Sequence, residues 1–114
     1  MTTARETFEA RALKRKYGVV GSVAARYRMA GYRVEVLEGG AADFVARRRG
    51  EGLAVKVYSS NAPIPVNVVE ELASYASNNG LRPVIILYGA GPRLAEDALE
   101  KVRSLNVSVR RVRP

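Results

Sequence analysis

Apolar and polar residues alternate in three short stretches between Arg33 and Ser60, and this period of two is the strand signal around which the other elements are read. Val34 and Val36 alternate with charged neighbours over residues 33–38, Phe44 and Ala46 with Asp43 and Val45 over 42–48, and the pattern returns over 53–58. Gly39-Gly40 and the run Gly50-Glu51-Gly52 supply the turns, so three consecutive antiparallel strands are predicted. Side chains change face at every residue of a strand. The pairing register can therefore bring Asp43 of the second strand and Lys56 of the third to one surface.

Upstream the spacing becomes helical. Thr3 is placed to cap a helix over 4–17, with Phe8, Ala12 and Leu13 on one face and basic residues on the other, and Gly18 ends it. Ser22 is the expected N-cap of a second helix through Val23, Ala24, Tyr27 and Met29, which Gly31 stops. Downstream of the strands, Pro63 and Pro65 enforce an extended connection into a helix over 66–79, whose apolar stripe is Val68, Val69, Leu72, Tyr75 and Ala76. Residues 83–88 form a nearly continuous apolar run, the pattern of a strand buried on both faces. A turn at Gly89-Ala90-Gly91-Pro92, a helix over 93–105 and a strand over 107–112 complete an α/β order ααβββαβαβ. This is a mixed central β-sheet flanked by helices in a single domain over 1–114, with a basic N-terminal helix over 1–17 and a core over 18–113.

Composition narrows the chemistry. With no cysteine and no histidine, disulfides, thiolate nucleophiles, imidazole bases and the usual zinc ligands are excluded. Carboxylates, lysine, tyrosine and serine remain, a set suited to magnesium or manganese bound through oxygen, or to no catalysis. No apolar run approaches the ~18 residues of a membrane span, and the charged N-terminus has no apolar leader segment, so a cytoplasmic protein without a membrane partner is expected. The net charge of +8 and pI near 10.3 favour a polyanionic partner, most simply nucleic acid, with salt-dependent affinity. The basic residues cluster at 11–16, 26–33 and 47–49. Their excess of arginine over lysine suits bidentate phosphate contacts and equally suits a thermophilic or GC-rich source.

The element order, with Asp43 on the second strand and Lys56 on the third, resembles the PD-(D/E)XK nuclease superfamily, the restriction-endonuclease-like fold. More closely the chain resembles the archaeal Holliday junction resolvase family, through Gly21-Ser22, Ala30-Gly31-Tyr32-Arg33-Val34, Ala42-Asp43-Phe44-Val45-Ala46-Arg47, Leu53-Ala54-Val55-Lys56-Val57, Glu71-Leu72-Ala73-Ser74-Tyr75-Ala76 and the apolar strand beginning at Pro83. The likeness covers most of Gly18 to Tyr88; the helix before Gly18 is longer than that family would suggest. In the resolvase pattern a divalent ion is held by two glutamates and an aspartate beside a lysine. Asp43 and Lys56 match, but the two glutamate positions hold Ala25 and Ala54.

What the resemblance implies is a nuclease fold that binds branched or duplex DNA and is catalytically weak or inactive, with Asp43 holding magnesium or manganese only weakly. A homodimer is implied as well, since a four-way junction has two-fold symmetry. The expected nucleic-acid contacts are Lys14, Arg15, Lys16, Arg47, Arg48, Arg49, Ser59 and Ser60. One alternative is an active metal-dependent endonuclease whose missing carboxylate has moved to Glu70 or Glu71; another is a structural or interaction subunit, for example a non-catalytic relative of tRNA-splicing endonuclease subunits. In the plainest alternative, Asp43 and Lys56 only pair between strands, Glu70 and Glu71 belong to a solvated helix face, and Glu51 is a solvated turn residue. Tyr58, on the Lys56 face, is expected to pack or to stack on a base or sugar. The glycines at 89 and 91 are read as a turn, not as a phosphate loop.

Overall fold

The structure, a computed structural model, describes residues 3–114; Met1 and Thr2, with which the expected N-terminal helix begins, lie outside the described residues. Its elements are α1 (Ala4–Met29), β1 (Arg33–Val36), β2 (Phe44–Arg48), β3 (Glu51–Tyr58), β4 (Pro63–Ile64), α2 (Val66–Asn78), β5 (Arg82–Tyr88), β6 (Arg93–Leu94), α3 (Glu96–Ser104) and β7 (Ser108–Val112). Five strands make one mixed sheet in the order β1-β2-β3-β5-β7. β1, β2 and β3 are antiparallel, whereas β3, β5 and β7 run parallel because a helix crosses over between each successive pair. The α/β class and the mixed sheet flanked by helices are as the sequence led us to expect. Among the described residues, no helix is long and apolar enough to cross a membrane.

Alternation along the strands builds two cores. Val45, Ala54, Ile85 and Leu87 face α2 and α3, meeting Val69, Leu72, Ala98 and Val102. Phe44, Ala46, Leu53, Val55, Val84 and Ile86 face α1, meeting Val23 and Ala24. β5 is buried on both faces from Val84 to Leu87, which is why its apolar run is unbroken.

Three local expectations need correction. Gly18 does break the helical path (φ 58°, ψ −128°), but helical structure resumes at once, so Ser22 lies inside α1 and is not an N-cap. The two arms of α1 fold back on one another: Arg28 pairs with Glu9 at 2.6 Å and with Glu6 at 3.8 Å, and a Cβ on Gly21 would collide with the Leu13 carbonyl oxygen. Thr3 and Glu6 form the reciprocal cap at the start of the first arm. Next, the β2–β3 turn is the pair Arg49-Gly50, both at positive φ (47° and 80°), and Glu51 already belongs to β3 opposite Arg48. Glu51 is therefore not a free turn residue; its carboxylate accepts from the Tyr32 hydroxyl at 3.3 Å and faces Arg48 at 3.8 Å. Finally, Arg93 and Leu94 pair in parallel with Pro63 and Ile64, which delays α3 to Glu96. This two-stranded sheet had no periodic signal, since its strands are too short to show one.

Candidate active site and nucleic-acid interface

Asp43 immediately precedes β2, where its amide donates to the Val55 carbonyl and its carbonyl accepts from Leu37, both at 2.8 Å. The side-by-side pairing of β2 and β3 ends at Phe44↔Val55, and the Asp43 carboxylate takes over the next free donor: the Val57 amide reaches Oδ2 at 2.7 Å. Oδ1 lies 3.5 Å from Lys56 Nζ, which also donates to the Gly40 carbonyl at 3.2 Å. The register thus brings the two residues to one surface, with side chains 18% and 20% exposed. Both carboxylate oxygens are engaged by the protein's own groups, so a cation at Asp43 would have to compete with Lys56.

Among the described residues, no three acidic residues cluster as metal ligands. Ala25 and Ala54 are buried, and Ala54 packs in the core beside Val45 and Ile85. Glu70 pairs with Lys101 of α3 at 3.4 Å. The Tyr58 hydroxyl is pushed above its ordinary value by burial first, then by the negative charges of Asp43 and Glu71. Tyr58 therefore sits within electrostatic reach of both carboxylates. Ser59 and Ser60 are exposed beyond β3, and the Ser60 hydroxyl accepts from Ala62 in a local turn.

The arginine triplet lies at the other end of the hairpin. Arg48 is five residue steps along the strand from Asp43, about 16 Å at 3.3 Å per residue, so the basic cluster and the Asp43–Lys56 pair are not one site. Around the hairpin end runs an open groove of about 1100 Å³ lined by Arg28, Arg33, Arg47, Arg48 and Arg49. Arg48 is held in place: it donates to the Ala30 carbonyl at 2.9 Å and its guanidinium lies 4.3 Å from the Tyr32 ring centroid. Arg28 is committed to Glu6 and Glu9. Arg33, Arg47 and Arg49 are exposed and form no ion pair among the described residues. Arg33 and Arg47 are direct cross-strand partners, a like-charge juxtaposition that costs stability. Arg49 carries its side chain at a positive φ that asparagine or glycine adopts more easily.

Lys14, Arg15 and Lys16 do not join this groove. They sit beside the Gly18 break, whereas Arg48 meets the chain at Ala30, about 18 Å of helix away at 1.5 Å per residue. Lys16 instead lies over the Tyr17 ring at 5.3 Å. Arg33 was absent from the expected contacts; its position opposite Arg47 depends on the register, which charge clustering alone does not specify.

No protein-family model matches the chain. No curated protein matches it. Among solved structures it is similar to a protein of unknown function, AF1548, at 16% identity and a TM-score of 0.48, over 91% of this chain and 56% of that one. The chain thus spans little more than half the length of that protein, and a likeness of this size carries no argument about what the chain does.

Proposed function

We propose that this chain is a nucleic-acid-binding domain of nuclease-like, resolvase-related fold that holds branched or duplex DNA through the arginines at the β2–β3 hairpin end and cuts it weakly or not at all. The observation that carries the reading is the unpaired Arg33↔Arg47 cross-strand juxtaposition beside Arg49. Three exposed guanidiniums at a cost to the fold are explained by a ligand that supplies the opposite charge. Weak catalysis follows from Asp43, which is tied to Val57 and Lys56, and from apolar, buried alanines at 25 and 54. A cytoplasmic location and a homodimer addressing a two-fold junction go with this reading; light scattering reads the second.

The second reading is an active enzyme in which Glu70 or Glu71 would share magnesium or manganese with Asp43; Asp43 and Glu71 both raise the Tyr58 hydroxyl, after burial, whereas Glu70 pairs with Lys101. In that case the ion would neutralise the scissile phosphate and acidify a water, with Lys56 balancing developing charge.

An end-labelled four-way junction separates these readings when incubated with magnesium or manganese and the wild type, Asp43→Asn or Glu71→Gln. A salt-sensitive shift on a native gel with intact strands is the expected result. Cleavage lost in both variants would replace it with the second reading. In the same binding assay, Arg47→Ala with Arg49→Ala should lower the slope of log K against log salt by about 1.8 for duplex, 0.9 per phosphate contact. An unchanged slope would remove the groove from the interface.

A further inference from the structure

The groove at the hairpin end does not stop at Arg48. Ala30 and Arg48 also line a smaller cleft of about 350 Å³ on the α1 face of the sheet. Its cause is topological: α1 packs on β1, β2 and β3, leaving a channel between its second arm and β7. Tyr27, Tyr32, Ile86 and Val112 line the cleft together with Arg26 and Arg110. The pairing Ile86↔Arg110 puts Arg110 on the α1 face.

Three features suit this cleft to a nucleotide. Arg26 and Arg110 are exposed and have no carboxylate partner among the described residues; Arg26 gives one donor to the Arg113 carbonyl at 2.6 Å and keeps the rest. The Tyr27 ring is half-buried and fixed edge-on against Tyr32 and Phe44, with centroids 5.3 and 5.5 Å away. Arg110 stands beside the Tyr27 hydroxyl, where its charge partly offsets the upward shift that burial gives that group. Arg48, fixed over Tyr32, joins the cleft to the hairpin groove, so basic groups continue from one into the other without a gap.

We infer that the α1–β7 cleft binds one nucleotide of a single-stranded segment, with Arg26 and Arg110 on its phosphate and Tyr27 against its sugar or base. The inference rests on the proposed nucleic-acid binding and deepens it. A duplex offers phosphates but keeps its bases stacked inside, away from Tyr27. An unpaired strand offers both the anion for the guanidiniums and an apolar face for the tyrosine.

Fluorescence anisotropy with a blunt duplex, the same duplex carrying a single-stranded overhang, and the free strand tests it. Wild type should prefer the overhang to the blunt end. Arg26→Ala with Arg110→Ala should abolish that preference and lower the salt slope on the overhang by about 0.7, the share of the one phosphate the two arginines hold, with blunt-duplex affinity unchanged. The inference alone is overturned if this variant binds the overhang like wild type, or weakens both probes equally, while Arg47→Ala with Arg49→Ala weakens every probe. Poly-aspartate that displaces the overhang as well as an equally charged free strand does would also overturn it, in favour of an acidic protein partner. Failure of wild type to bind any probe would overturn the nucleic-acid reading and this inference with it. Both variants alter exposed side chains, and an unchanged melting temperature verifies the fold.

Discussion

Replacing Asp43 by alanine separates a carboxylate that closes the sheet from one waiting for a ligand. The substitution strips the Val57 amide of a charged acceptor at 2.7 Å, a bond whose removal costs about 1.5–3 kcal/mol. Lys56 loses its counter-ion at 3.5 Å but keeps the Gly40 carbonyl and is partly solvated, which adds about 0.2–1 kcal/mol. The sum is about 1.7–4 kcal/mol, or a fall in melting temperature of about 7–16 °C at roughly 4 °C per kcal/mol for a domain of this size. Lys56→Met removes the ion pair and the exposed hydrogen bond to the Gly40 carbonyl and should still cost less than Asp43→Ala, about 1–2 kcal/mol, and Asp43→Asn, which keeps an acceptor for Val57, should also cost less than Asp43→Ala. Urea unfolding followed by circular dichroism gives the three values, and the double mutant Asp43→Ala/Lys56→Met gives the coupling, expected at about 0.5–1 kcal/mol. An Asp43→Ala protein within about 0.5 kcal/mol of wild type would refute the reasoning. The carboxylate would then be free of the strand, and a metal-binding role would gain ground.

Two further outcomes follow from the α1 hairpin. Gly21→Ala forces the arms apart at the Leu13 carbonyl, and a cost of about 1–3 kcal/mol is expected, with hydrogen-exchange protection lost in residues 4–17 while the sheet keeps its own; unchanged protection there would refute the close approach. The hairpin should also open in acid. Glu6 is held below its ordinary value of 4.5 chiefly by the hydrogen bond from the Thr3 amide, and Glu9 chiefly by the hydrogen bond from Arg28. With folded values depressed, their contribution is complete above the ordinary value and disappears as pH falls through the lowered ones. Magnetic resonance should show the first arm detaching below pH 4.5 before the sheet unfolds, and an arm still docked after both carboxyls have titrated would contradict this.

Much of the fold was legible because its signals are local. Alternation marked β1, β2 and β3, the unbroken apolar run marked β5, and Thr3 and Gly18 marked the start of α1 and its break. The misplaced points lie where a distant contact overrides a local preference. Ser22 has the chemistry of a cap, but the helix restarts before it, with Gly21 packed against Leu13. Glu51 looks like a turn residue until Arg49 and Gly50 both take positive φ and the ladder begins two pairs earlier, at Arg48↔Glu51. The paired Pro63–Ile64 and Arg93–Leu94 strands are two residues each, below the length at which any period can be read.

The candidate site divides in the same way. By itself the sequence determined the residue types available, the lack of cysteine and histidine, the basic charge, and the alternation that lets Asp43 and Lys56 share a face, since composition and period are properties of the chain. Only the tertiary structure decided that Asp43 binds the Val57 amide, that Arg33 faces Arg47, and that Lys14 to Lys16 stand apart from them. It also decided that Arg26 and Arg110 meet across a cleft from opposite ends of the sequence. Each depends on strand register or on how a helix lies across the sheet, and those are set by which apolar faces are buried together, not by the neighbours of any one residue.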